Sequence, residues 1–168
     1  MTETVINVNN HQQTNSAPPT GGPFSWIIIN VDYFKRLPGI VKIVQFVLGI
    51  ICMIFVSPAR LGATTFFLFV VIMAFIATIL WAAAYFLGIR EALTLPINWI
   101  LTELINTGIA TILYLIASII QIAAWSKTNY HGYHFSNITG GVLGLINFLA
   151  YAAGSYFLYL ELRMGSTH

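Results

Sequence analysis

Residues 96–125 read PINWILTELINTGIATILYLIASIIQIAAW, and the nature of this stretch decides how the rest of the chain is understood. About 20 apolar residues in helical form cross the ~30 Å hydrocarbon layer of a bilayer, and this run is longer than that. It reads as a membrane span. Asn98, Thr102, Glu103, Asn106 and Thr107 nevertheless fall near its start, where a polar group costs free energy unless it faces protein, water or headgroups. That end is therefore expected to be packed against something.

On helical spacing, Glu103, Thr107, Ala110, Tyr114, Ser118 and Gln121 advance by steps of four, three, four, four and three, so they share one side. A stripe of polar and small residues on an apolar helix is expected to face partner helices, leaving leucines and isoleucines for lipid. A second reading stays open, a path for a substrate or ion, because an ionisable group inside a membrane marks function as readily as packing.

Outward from this run lie three others, at residues 37–57, 63–87 and 138–162. The 168-residue chain is 58% hydrophobic and 7% charged, against about 25% charged in an ordinary soluble domain, so it is an integral, multi-pass membrane protein. The expected fold is all-α, a four-helix transmembrane bundle forming one domain over residues 37–163 with both termini cytosolic. Residues 1–23, rich in Asn, Gln, Thr and Pro, carry neither the charged nor the apolar region of a signal peptide and are expected to be a disordered cytosolic tail. Residues 24–36 form an interfacial segment with aromatic rings at headgroup level and Lys35 and Arg36 behind them. A short tail, residues 164–168, ends the chain.

Inside the first run Lys42 and Gln45 share a side with Gly49 and Cys52. The second is the most purely apolar, with Ala74, Thr78, Trp81 or Ala82, and Tyr85 as its contact side. In the fourth, Gly140, Gly144, Asn147, Tyr151 and Gly154 recur at heptad-like steps, and Gly140 with Gly144 makes a GxxxG that lets another backbone approach closely. Gly49, Gly140, Gly144 and Gly154 are the helix-packing candidates. Lys35, Arg36, Arg90 and Arg163 flank one side of the membrane against Arg60 and Lys127 on the other, which by the positive-inside rule puts the termini in the cytosol.

A polar cluster of Lys42, Gln45, Asn98, Glu103 and Asn106 is expected inside the cytosolic half of the bundle. Counted from the start of each run at 1.5 Å per residue, Lys42 lies roughly 8 Å deep and Glu103 roughly 9 Å deep, so the two charges are expected to meet. The alternative is that Lys42 snorkels to headgroups while Glu103 bonds elsewhere.

The link at residues 126–137 is dense in aromatics and holds His131 and His134, three apart but with no carboxylate or thiol beside them, so no metal is expected there. Its rings, Tyr130, Tyr133 and Phe135, are expected to dock at the outer headgroups. Asn137-Ile-Thr139 is a formal glycosylation sequon abutting the fourth run, read as an unmodified helix-start Asn. Cys52 has no partner thiol, and no catalytic triad, phosphate loop or HExxH occurs. Neither enzyme activity nor a cofactor is expected. With a net charge of +2 and no basic run, nucleic acid is not an expected partner.

Asp32-Tyr33 followed by Gly39, Lys42 and Gln45 entering the first run, and Ile97-Asn98-Trp99 leading through Leu101-Thr102-Glu103-Leu104 to Asn106-Thr107-Gly108 in the third, carry a family likeness. Over roughly residues 32–163 the chain resembles the MARVEL-domain four-span proteins, and within them the chemokine-like-factor MARVEL transmembrane group. The resemblance implies cytosolic termini and a role in vesicle trafficking, membrane apposition, cell–cell fusion or cell junctions, at the plasma membrane or on vesicles. The role would be that of a non-catalytic partner of other membrane proteins, a second copy of the chain included. A rival from another class is a small channel or transporter, which would want broken helices or internal repeats meeting near the midplane, and neither is evident.

Overall fold

The computed structural model describes residues 34–89, 98–128 and 132–165. Four long helices account for nearly all of them: α1, Leu37–Val56; α2, Gly62–Phe86; α3, Trp99–Ser126; and α4, His134–Gly165. Each is long and apolar enough to cross a membrane. Their ends follow local chemistry. Pro38 sits in the first turn of α1, where its missing N–H leaves no helical bond unmade. Pro58 holds Ser57 extended, and α1 stops at Val56. Past α2, Gly88 adopts φ 62°, a left-handed conformation that favours glycine and turns the chain out of the helix. Asn98 precedes α3 and accepts the backbone N–H of Leu101 on its side chain, a cap that satisfies one of the first-turn donors.

The helices form a ring in which α3 lies most extensively on α4, α4 on α1, and α1–α2 and α2–α3 complete the circuit. Consecutive helices are antiparallel, so the start of α1, the end of α2, the start of α3 and the end of α4 share one end of the bundle. Phe34 meets Phe86 there at 5.9 Å, and Trp81 meets Trp99 edge-on at 6.3 Å.

The surface is the reverse of a soluble protein's. Ile54, Leu80, Ile112 and Leu149 are exposed, each by more than 60%, whereas Glu103, Gln121, Asn147, Ser118 and Thr64 are fully buried. That distribution suits hydrocarbon, where lipid solvates the isoleucines and leucines and only other helices can satisfy polar groups. The apolar part of the core gathers Cys52, Phe67, Val71, Ala74, Tyr114 and Tyr151 from all four helices.

Against the expected spans 37–57, 63–87 and 97–125, α1 ends one residue earlier, α2 is shifted by one residue, and α3 starts two residues later and ends one later. The fourth differs: α4 begins at His134, four residues before the expected start, so His134, Phe135, Ser136 and Asn137 are helical rather than part of a long link. The extra turn is held by tertiary bonds. Ser136 Oγ donates to the Phe55 carbonyl at the end of α1, and Asn137 Oδ1 accepts from Gln121 Nε2 of α3 at 3.1 Å. The expected amino-terminal tail, the interfacial segment up to residue 33, the link at 90–97 and residues 129–131, with Tyr130 and His131, lie outside the described residues.

Candidate functional site

The buried side of α1 runs through Gly39, Lys42, Gln45, Gly49, Cys52 and Val56, steps of three and four that keep one side turned inward. The buried side of α3 runs through Glu103, Thr107, Ala110, Tyr114, Ser118, Gln121 and Trp125. Each side begins with one charge, and the antiparallel order of the ring puts both beginnings at the same end. Lys42 Nζ forms an ion pair with Glu103 Oε1, while Glu103 Oε2 accepts the phenol O–H of Tyr85 from α2. One carboxylate thus ties three helices together. Its side chain has no exposure and that of Lys42 only 8%, so solvent screening is slight. A lone charge at a helix centre costs about 2.5–3.5 kcal/mol on the insertion scale. Mutual attraction plus the Tyr85 hydrogen bond offset part of that.

One turn deeper, Gln45 Nε2 donates to the Ala150 carbonyl of α4 at 3.1 Å, and Asn147 Nδ2 reaches back to the Gln45 carbonyl at 3.5 Å. The other two members of the expected cluster stand apart. Asn98 is exposed and acts as the α3 cap, because it precedes the helix and cannot turn inward with it. Asn106 follows Glu103 by three residues, and at ~100° per residue this swings it from the α1 side toward α2. There it borders a cleft of about 230 Å³ with Val70, Met73, Ala74 and Ala110.

Polar bonds continue to the opposite end. Thr78 of α2 and Tyr151 of α4 share a hydrogen bond of 2.7 Å across the bundle, and Tyr151 Oη also donates to the Ala74 carbonyl at 3.1 Å. Tyr114 stacks on Tyr151 with ring centres 5.1 Å apart. Thr111 of α3 and Ser155 of α4 approach to 3.3 Å. Gln121 donates to the Asn137 side chain at 3.1 Å, and Trp125 Nε1 donates to Thr64 Oγ1 at 2.7 Å. These cross-links join different helices at successive depths. Tyr85, Thr64 and Trp125 were not singled out with the charges by sequence reasoning. The signal was present for Tyr85, which recurs on the contact side of α2 with Ala74 and Thr78.

The glycines set the helix spacing. A Cβ on Gly140 would collide with Val56, and one on Gly144 with Ser118 Oγ and the Phe67 ring. At Gly154 it would lie 2.8 Å from Gln45 Nε2, so this glycine makes the room that Gln45 occupies. Gly49 is looser, its added Cβ 3.3 Å from Phe75. Gly141, which the GxxxG reading passed over, is as tight as the others, 2.6 Å from Ile122.

At the far end Arg60 donates to Tyr133 Oη at 2.9 Å and lies 3.9 Å above the ring, clipping the α1–α2 link to the start of α4. Tyr133 is therefore engaged by a cation from its own chain, whereas Phe135 is exposed by 80%. Asn137 is buried and its amide nitrogen is bonded to the carbonyl of Tyr133 just before α4, so attaching a glycan there would require this start of the helix to open. No group of three or more His, Cys, Asp or Glu side chains is placed to hold a metal among the described residues. Among the described residues, the interior holds helices in register through hydrogen bonds and the Lys42–Glu103 ion pair.

Comparison with known proteins gives a family and a relative. Residues 33–157 match the family described as MARVEL, membrane-associating domain. The chain is also similar to plasmolipin of Danio rerio, 26% identical over 154 residues that cover 90% of this chain and 87% of the relative. No solved structure matches.

Proposed function

The chain belongs to the MARVEL family of membrane-associating domains, and from that premise we propose that it is a non-catalytic four-span protein acting in vesicle trafficking, membrane apposition, or cell–cell fusion and junctions. It acts through contacts with other membrane proteins, at the plasma membrane or on vesicles. Both termini face the cytosol, as the excess of Lys35, Arg36, Arg90 and Arg163 over Arg60 and Lys127 supports. Within the family it stands with the chemokine-like-factor group, a placement supported by the block from Ile97 to Gly108.

The observation that carries this reading is the family match over residues 33–157, joined to an interior in which both charges and the pairs Thr78–Tyr151, Gln121–Asn137 and Trp125–Thr64 bind helix to helix, while Tyr114 Oη, Ser118 Oγ and Asn147 Oδ1 are buried without a hydrogen-bond partner among the described residues. A catalyst or carrier needs polar groups turned toward a substrate, and here the charged ones are turned toward neighbouring helices. The channel or transporter reading would use the same Glu103 as a gate or ion ligand.

Proximity labelling from a ligase fused to the amino terminus in living cells tests the proposal. It is expected to enrich multi-pass and vesicle membrane proteins over soluble enzymes. The transporter reading prevails instead if the purified protein in liposomes carries solute well above empty vesicles and Glu103→Gln alone abolishes that flux.

A further inference from the structure

Between α1 and α2 lies a groove of about 400 Å³ that opens sideways toward the space lipid would fill, its rim formed by exposed Ile43, Phe46 and Ile79. Two aromatic pairs bound its ends, Phe34 with Phe86 at the end where α1 starts and Phe46 stacked on Phe75 deeper in. Lys42 and Thr78 reach its floor, but their polar atoms are turned inward, to Glu103 and to Tyr151. The wall offered to an occupant is therefore carbon. Ala82 and Ala83 supply the width, being too small to fill it.

The groove follows α2 from Phe86 up to Thr78, about 12 Å at 1.5 Å per residue. One leaflet of a ~30 Å hydrocarbon layer is about 15 Å deep, so the groove runs along most of a single leaflet. Beside its mouth, next to Phe34, stand exposed Lys35 and Arg36. An alkyl slot of leaflet length beneath two cations matches the two halves of one molecule. We infer that the α1–α2 groove holds one acyl chain of an anionic glycerophospholipid whose phosphate headgroup rests against Lys35 and Arg36. This goes beyond the protein contacts of the proposed function and does not depend on them.

The test uses the full chain reconstituted in phosphatidylcholine vesicles with a minor share of phosphatidylserine bearing a diazirine on its acyl chain, and a matched sample with the same tag on phosphatidylcholine. Crosslinks are mapped by mass spectrometry. The tagged phosphatidylserine is expected to label Ile43, Phe46 and Ile79 several-fold more than the tagged phosphatidylcholine does, and several-fold more than it labels Ile112 and Ile119 on α3. Ala83→Phe, which fills the groove, lowers that labelling with helix content unchanged. Lys35→Gln combined with Arg36→Gln leaves the groove labelled but brings the two probes to parity. Uniform labelling of every outward side, parity of the two probes in the native chain, or a groove that crosslinks to a second copy instead of to lipid would each overturn the proposal.

Discussion

At Glu103 one carboxylate meets Lys42 of α1 and Tyr85 of α2 with no exposure to solvent, and this fixes how its removal will be felt. Deleting one partner of a buried pair strands the other charge, and such losses run to about 3–5 kcal/mol. Glu103→Ala and Lys42→Ala are each expected to destabilise the folded chain by an amount of that order in a detergent unfolding titration. The double change is expected to cost clearly less than the two single losses added together, since it leaves no charge stranded. Strict additivity would mean the pair contributes no coupling. Tyr85→Phe removes only the phenol donor and is expected to cost about 1.5–3 kcal/mol by the same titration, the range for a hydrogen bond to a charged group. The meeting of Lys42 with Glu103 was legible in the sequence because depth along a helix is simple counting. The third partner was not, because Tyr85 lies one residue from the end of α2 whereas Glu103 lies four residues into α3, so backbone depths do not match and it is the length of the tyrosine side chain that brings the phenol to the carboxylate. Asn106 shows the opposite limit: depth placed it beside Glu103, and rotation about the helix turned it toward α2.

At the scale of the element, α4 is the helix in which Gly140, Gly141, Gly144 and Gly154 are consumed by packing. Gly144→Ala would press a methyl into Ser118 Oγ and the Phe67 ring, an overpacking expected to cost about 1–3 kcal/mol. Gly108→Ala in α3 meets nothing within 4 Å and is expected to stabilise by about 0.5–1 kcal/mol through helix propensity alone. Thermal midpoints of the two variants in one detergent check the contrast, and equal shifts of the same sign would deny that Gly144 sets the α3–α4 and α2–α4 spacing. The four spans themselves were legible because twenty-residue apolar runs have few alternatives in a chain this poor in charge. The start of α4 was not. His134, Phe135, Ser136 and Asn137 lack apolar periodicity, and their turn is held by bonds to α1 and α3 that hydropathy does not register.

For the whole molecule, the MARVEL fold presents isoleucine and leucine outward and buries its polar groups inward, with helix-to-helix pairs from Lys42–Glu103 at one end to Trp125–Thr64 at the other. Such a bundle has no water path if the cross-links are closed, and this separates a protein that works by its outer surface from one that moves solute through its centre. Cysteine accessibility in sealed, oriented vesicles tests that distinction most directly. With Cys52→Ala as background, single cysteines are placed at Lys35, Arg163, Arg60, Lys127, Thr107, Ser118 and Gln121, and challenged with a membrane-impermeant maleimide from each side. Lys35→Cys and Arg163→Cys are expected to react from the side proposed to be cytosolic, Arg60→Cys and Lys127→Cys from the other, and Thr107→Cys, Ser118→Cys and Gln121→Cys from neither. Reaction at Ser118→Cys or Thr107→Cys from either side would contradict the account, because water would then reach the centre of the bundle.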